Sequence, residues 1–184
     1  VTETVNATQC TTTVTTQVTM NPLPQPMVSG NKTACAGTSM VYSTPAFTGR
    51  SYTWTVTGGT FTGSGNQITV TWGTAGTGKV SLTETISATG CSAKDSIASV
   101  TIVAPPAPSI TGPTTACTGS SAMSTMSVAV PNTNNTYTWS ATGGSVYAGQ
   151  GTPTAQIQWN AAGTQTVTVT ERNTTLGCET TTTY

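Results

Sequence analysis

The residues of this 184-residue chain equipped for chemistry are five cysteines, five carboxylates and four tryptophans, with no histidine to work beside them. Without imidazole there is no Ser-His-Asp or Cys-His arrangement, and no zinc site of the histidine type. Glu3, Glu84 and Glu171 recur in related contexts, Val1-Thr2-Glu3, Leu82-Thr83-Glu84 and Val169-Thr170-Glu171. Acid–base work needs two carboxylates facing each other across a substrate, and these stand about a domain apart. Their expected role is structural: accepting hydrogen bonds from backbone or threonine hydroxyls near a strand end. Gly73-Thr74-Ala75-Gly76-Thr77-Gly78-Lys79 has the spacing of a phosphate-binding loop. Val80 stands where the magnesium ligand belongs, however, and a strand-like sequence follows where a helix N-terminus is required. No enzyme and no cofactor are expected.

The elements around these residues must be strands. Forty-seven residues are threonine, a quarter of the chain, and 10 prolines and 19 glycines punctuate it. Segments such as Thr53-Trp54-Thr55-Val56-Thr57 and Gln165 through Thr170 alternate apolar residues with threonine, the period of a half-buried strand. Threonine suits the outward positions because its β-branched side chain fits a pleated surface. Only 5% of the residues are charged, five basic against five acidic, which leaves no electrostatic footprint for nucleic acid. No apolar run approaches the length of a membrane span. Val1-Thr2-Glu3-Thr4 is not a signal peptide, so an export signal is expected outside this stretch.

The sequence repeats itself. Pro24-Gln25-Pro26 returns as Pro106-Ala107-Pro108, and Cys35-Ala36-Gly37 as Cys117-Thr118-Gly119. Tyr52-Thr53-Trp54 with Thr57-Gly58-Gly59 returns as Tyr137-Thr138-Trp139 with Thr142-Gly143-Gly144. Val70-Thr71-Trp72 matches Ile157-Gln158-Trp159, and Gly90-Cys91 matches Gly177-Cys178. Val1 through Cys10 aligns with Leu82 through Cys91. The expected organisation is therefore residues 1–21 as the terminal strands of a preceding, truncated repeat, 22–103 as a complete repeat, and 104–184 as a second repeat truncated at its last strand. The chain reads as a window on a longer tandem array. Roughly seven short strands in each repeat is the count of an immunoglobulin-like β-sandwich. The Pro-x-Pro segments suit stiff junctions between units.

Tyr-Thr-Trp-x-x-Thr-Gly-Gly, the later Val-Thr-Trp, the Gly-Cys hairpin and the Pro-x-Pro opening resemble the PKD-like repeats of giant surface adhesins in Bacteroidota, the gliding-motility adhesin filament among them. The resemblance covers the whole chain and implies a secreted array of all-β, PKD-like sandwiches. Ordinary PKD domains carry an acidic Gly-Asp-Gly turn where this chain has Thr57-Gly58-Gly59 and Thr142-Gly143-Gly144, so a calcium or polar function of that turn is not carried over. Asp95-Ser96-Ile97 fits an O-glycosylation pattern of the same bacterial group, with Ser96 as acceptor.

Tyr52 with Trp54, and Tyr137 with Trp139, share one strand face and are expected in the cores. Trp72 and Trp159 end a strand before a glycine-rich turn. They are expected half-exposed, where they could bind sugar or a neighbouring unit. For the cysteines two pairings are open. One is internal to each repeat, Cys35–Cys91 and Cys117–Cys178, closing a loop worth about 4 kcal/mol. The other follows from geometry: the first turn and last hairpin of a sandwich lie at opposite ends, so Cys35 would reach Cys178 across a head-to-tail junction. Cys10 is expected to have its partner outside this stretch.

The function expected is a structural stalk or filament segment of a secreted, cell-surface adhesin. Its partners are neighbouring repeats and, in a fibre, identical chains. The alternatives are a carbohydrate-binding module for surface polysaccharide, using Trp72 and Trp159, and a polymer in which segment 1–21 inserts as a strand into another copy.

Overall fold

The computed structural model describes residues 1–119 and 121–184, and among these every regular element is a β-strand. A hairpin of β1 (Thr2–Val5) and β2 (Cys10–Thr13) opens the chain, exposed along its whole length.

Seven strands build the first sandwich. One sheet orders β3 (Thr33–Cys35), β9 (Ser92–Val103), β8 (Gly76–Ile86) and β5 (Arg50–Thr57) side by side. The other orders β4 (Ser39–Ser43), β7 (Gln67–Trp72) and β6 (Gly59–Thr62). All pairings are antiparallel except that of β3 with β9, which runs parallel with Cys35 beside Val103. The second sandwich repeats the plan. One sheet holds β10 (Ile110–Thr111), β11 (Met123–Val128), β14 (Thr154–Trp159) and β13 (Gly144–Ala148). The other holds β12 (Asn135–Ala141), β15 (Val167–Asn173) and β16 (Glu179–Thr183).

Alternation in sequence becomes alternation in space. Along β7 and β14 the residues at every second position (Ile68, Val70 and Trp72; Ala155, Ile157 and Trp159) are buried, and the threonines and glutamines between them are not. Two separate cores result. Tyr42, Trp54, Val80, Leu82 and Val100 belong to the first, and Met126, Tyr137, Trp139, Val167 and Val169 to the second. Each unit thus buries its own apolar faces, as the reading of about seven strands per all-β unit requires. The tight turn from β5 to β6 is made by Gly58, whose φ of 80° lies in the left-handed region that glycine enters without cost.

The sandwiches differ at the crossover that leads into the first turn. In the first, Ser29 bridges to Ser43 of one sheet before the chain crosses over and pairs as β3 with the other. In the second, the corresponding crossover continues without a strand over Thr115–Cys117. Beside that segment, at the far end of the unit, lies a cavity of about 530 Å³ bordered by Pro113, Thr115, Trp159, Val167 and Tyr184.

Candidate functional site

Among the described residues one disulfide is formed, and it joins the two sandwiches. Cys35 closes β3, where the chain turns through Ala36–Gly37 into β4. Ala36 N–H donates to Val103 O (2.9 Å), Gly37 N–H to Trp72 O (2.9 Å), and Thr38 Oγ1 to Cys35 O (2.7 Å). Cys178 sits in the β15–β16 hairpin, where Asn173 N–H donates to Cys178 O (2.8 Å) and Asn173 Oδ1 accepts from Thr175 and Leu176. The two sulfurs are bonded, with the Cα atoms 5.6 Å apart and both residues buried.

This arrangement replaces the pairings internal to a repeat. Strand β8 carries 11 residues, roughly 35 Å at about 3.3 Å per residue. Gly76 at its start pairs with Ile102, next to Cys35, whereas Ile86 at its end donates its N–H to Cys91 O. Cys35 and Cys91 therefore stand at opposite ends of one sheet, far beyond the roughly 7 Å that a disulfide spans. Cys10, Cys91 and Cys117 are free thiols; Cys10 and Cys117 are exposed.

The tryptophans of β7 and β14 correct an expectation. Trp72 is 1% exposed and Trp159 7%, so neither offers a face to sugar. Glycines of neighbouring strands are what let the indole in. A Cβ on Gly78 would overlap the Trp72 ring, and one on Gly59 would meet Trp72 Cε3 at 3.2 Å. The second unit seats Trp159 against Gly144 in the same way. The ring nitrogens differ: Trp159 Nε1 donates to Ser124 Oγ (2.9 Å), whereas Trp72 Nε1 is buried without a partner. Tyr42 packs edge-on to Trp72, with ring centroids 5.9 Å apart.

Trp54, Tyr137 and Trp139 are buried and Tyr52 is half-buried. Trp54 Nε1 donates to Gly65 O (2.8 Å) and Trp139 Nε1 to Thr152 O (2.9 Å), so each indole also pins a loop. Tyr137 Oη accepts from Asn132 N–H at 2.7 Å and donates to Glu171 Oε1 at 3.0 Å. Burial pushes its phenol above the usual range; the backbone bond to Asn132 opposes this and the neighbouring Glu171 adds to it.

The glutamates also depart from expectation, because their partners are side chains rather than backbone or threonine. Glu84, fully buried, accepts from Arg50 Nη1 at 2.8 Å, and its Oε2 has no partner. Glu171 accepts from Asn135 Nδ2 at 2.7 Å as well as from Tyr137. The register explains this: Tyr52 lies opposite Glu84 and Tyr137 opposite Glu171, so each carboxylate meets the polar end of the strand beside it. Glu3 is exposed. Ser96 is exposed on β9, and its neighbour Asp95 is engaged, accepting Val28 N–H at 2.6 Å.

Gly76 to Lys79 of the glycine-rich run lie within β8, so no helix N-terminus is there to hold phosphate. Among the described residues no three His, Cys, Asp or Glu side chains group as a metal site would need, and no helix is long and apolar enough to cross a membrane.

No curated protein matches the chain. Among solved structures it is similar to the C-terminal 282-residue fragment of intimin, in complex with the intimin-binding domain of the translocated intimin receptor. The identity is 18% over 88% of this chain, with a TM-score of 0.44. The chain spans 64% of that fragment, less than two thirds of its length. It is similar also to a marsupial T cell receptor (14% identity, 91% of this chain and 98% of that one, TM-score 0.32) and to a β-glucuronidase of Parabacteroides merdae (10%, 88% and 25%, 0.32). The model of the PKD-like domain, a non-catalytic domain type, matches residues 21–101 and again 103–184. Those consecutive matches account for nearly all of its length, and the chain belongs to the PKD-like domain family.

Proposed function

We propose that the chain is a load-carrying stalk segment of a secreted, cell-surface adhesin, its work being reach and mechanical continuity rather than catalysis. The observation that carries this reading is the disulfide between Cys35 of one unit and Cys178 of the next. A bond placed there does nothing for a binding pocket. It gives the junction a second covalent path beside the linker, so that pull on the chain is shared at the weakest point of the string. A disulfide of this kind persists in oxidising, extracellular space. The neutral, threonine-rich surface suits a filament that avoids nonspecific ionic attraction but lacks the charge repulsion that keeps chains apart. Identical chains are therefore the partners proposed beyond the neighbouring repeats, and exposed Ser96 is the proposed point of sugar attachment.

Imaging of the native assembly tests this reading. The expected result is a thin fibre with one bead per repeat of about 85 residues, its length insensitive to added polysaccharide. Compact particles, or tight binding of the isolated chain to a surface polysaccharide, would overturn it.

A strand-donating filament is the second reading, favoured by the cavity beside Thr115 and by the exposed apolar residues Val14, Val18 and Met20. In it, segment 14–20 of one copy supplies a strand to the second sandwich of another. A chain that remains monomeric at high concentration with that segment intact would dismiss it.

A further inference from the structure

The two units treat one buried carboxylate differently. Glu84 and Glu171 are equivalent, each lying opposite the tyrosine of the neighbouring strand, Tyr52 or Tyr137. Arg50 and Asn135 each stand two residues before that tyrosine. Phe47 N–H donates to Tyr52 Oη (2.9 Å) and Asn132 N–H to Tyr137 Oη (2.7 Å), which makes Phe47 and Asn132 equivalent as well. In the first unit Arg50 Nη1 lies 2.8 Å from Glu84 Oε1, and its guanidinium sits 4.7 Å above the centre of the Phe47 ring. The second unit has an asparagine in both places.

Glu171 is only 3% exposed. The ion pairs among the described residues leave it without a cation: Arg50 pairs with Glu84, and the exposed Arg172 pairs with Glu179. Both hydrogen bonds to the Glu171 carboxylate end on Oε1, from Asn135 Nδ2 (2.7 Å) and Tyr137 Oη (3.0 Å). With Nδ2 committed to Glu171, Asn135 Oδ1 is left buried without a partner. An open pocket of about 470 Å³ lies at this place, bordered by Asn132, Asn135 and Glu171 and by the apolar Pro106, Val130 and Pro131. A buried carboxylate lacking a counter-charge is costly, and an unpartnered carbonyl beside it adds to the cost.

We propose that this pocket binds the guanidinium group of an arginine from outside the chain, where the first unit uses its own Arg50. A fork of N–H donors carrying one positive charge meets both demands at once, the charge of Glu171 and the open acceptor on Asn135. Guanidinium is planar and weakly hydrated, so walls of proline and valine suit it. A calcium ion takes about six to eight oxygens, and Glu171 is the one carboxylate on the pocket wall among the described residues. Free arginine and an arginine side chain on a partner protein both present this group.

The test titrates the full chain with methylguanidinium at fixed ionic strength and follows the backbone amides of Asn132 and Glu171 by heteronuclear NMR. Tetramethylammonium, a cation of the same charge without an N–H donor, and calcium chloride are the comparison ligands. The expected result is saturable movement of both amides with methylguanidinium, at a Kd on the order of 1–10 mM, and none with the other two. Glu171→Gln should weaken binding tenfold or more. Asn135→Arg, which places in the second unit the ion pair that the first already tolerates, should abolish it while the rest of the spectrum stays that of a folded chain. Free arginine and a terminally blocked arginine peptide separate the sources: tighter binding of the former points to a small-molecule ligand, and equal or tighter binding of the latter to a partner's side chain. No saturable movement with methylguanidinium, an equal response to tetramethylammonium, a response to calcium alone, or undiminished binding by the Asn135→Arg chain would overturn the proposal.

Discussion

Reducing the junction disulfide should destabilise the second sandwich, although the bond joins two units rather than closing one. The parallel pairing of Cys35 with Val103 puts one anchor of the staple beside the point where the chain leaves the first unit. When the second unit unfolds while the first stays folded, its chain is held at both ends, at Val103 and, through the disulfide, at Cys178. The closed loop is therefore about 75 residues, not the 143 that separate the cysteines, and the chain-entropy relation makes its closure worth about 4 kcal/mol. For a unit of this size that corresponds to a fall in Tm of roughly 15–30 °C on reduction. Urea unfolding of the oxidised and reduced chain, followed by tryptophan fluorescence, measures it directly. The reduced chain should also show a larger m-value, because its unfolded state is more open. A change in unfolding free energy below about 1 kcal/mol, with m unaltered, would refute the reasoning, because it would mean that the staple leaves the unfolded ensemble unconstrained.

Two further outcomes follow from the packing. Gly78→Ala should cost the first sandwich about 1–3 kcal/mol, since the new Cβ would overlap the Trp72 ring and lie 3.0 Å from Thr57 O; comparison of denaturation midpoints would check it, and an unchanged midpoint would show that the indole can move aside. The buried phenols of Tyr42 and Tyr137, both raised above the ordinary tyrosine range by desolvation, make stability depend on alkaline pH. Their contribution is constant below the unfolded tyrosine pKa and is lost as pH rises above it toward the folded value. Unfolding free energy should accordingly fall steeply above about pH 10, and Tyr137→Phe should flatten that slope for the second unit.

Much of this architecture is local and so was open to reading from residues alone. Alternation of apolar residues with threonine sets strands because each side chain's face depends only on its neighbours along the chain. The tandem copies of Tyr-Thr-Trp and Gly-Cys follow equally from sequence, and seven strands per unit follow from the breakers between them. The tryptophans were harder. Trp72 precedes glycines, which suggests a loop and exposure, whereas Gly59 and Gly78 come from two other strands and form the slot that buries the ring. The partners of Glu84 and Glu171 were hidden for the same reason, since Arg50, Asn135 and Tyr137 reach them only through cross-strand register.

The cysteines mark the boundary most sharply. From composition and spacing alone it was settled that they recur twice per repeat, at the first turn and in the last hairpin, and both pairings satisfied that pattern. Only the folded chain chose between them, because the choice depends on distance. An 11-residue strand holds the two cysteines of a unit apart, and stacking brings cysteines 143 residues distant to within 5.6 Å.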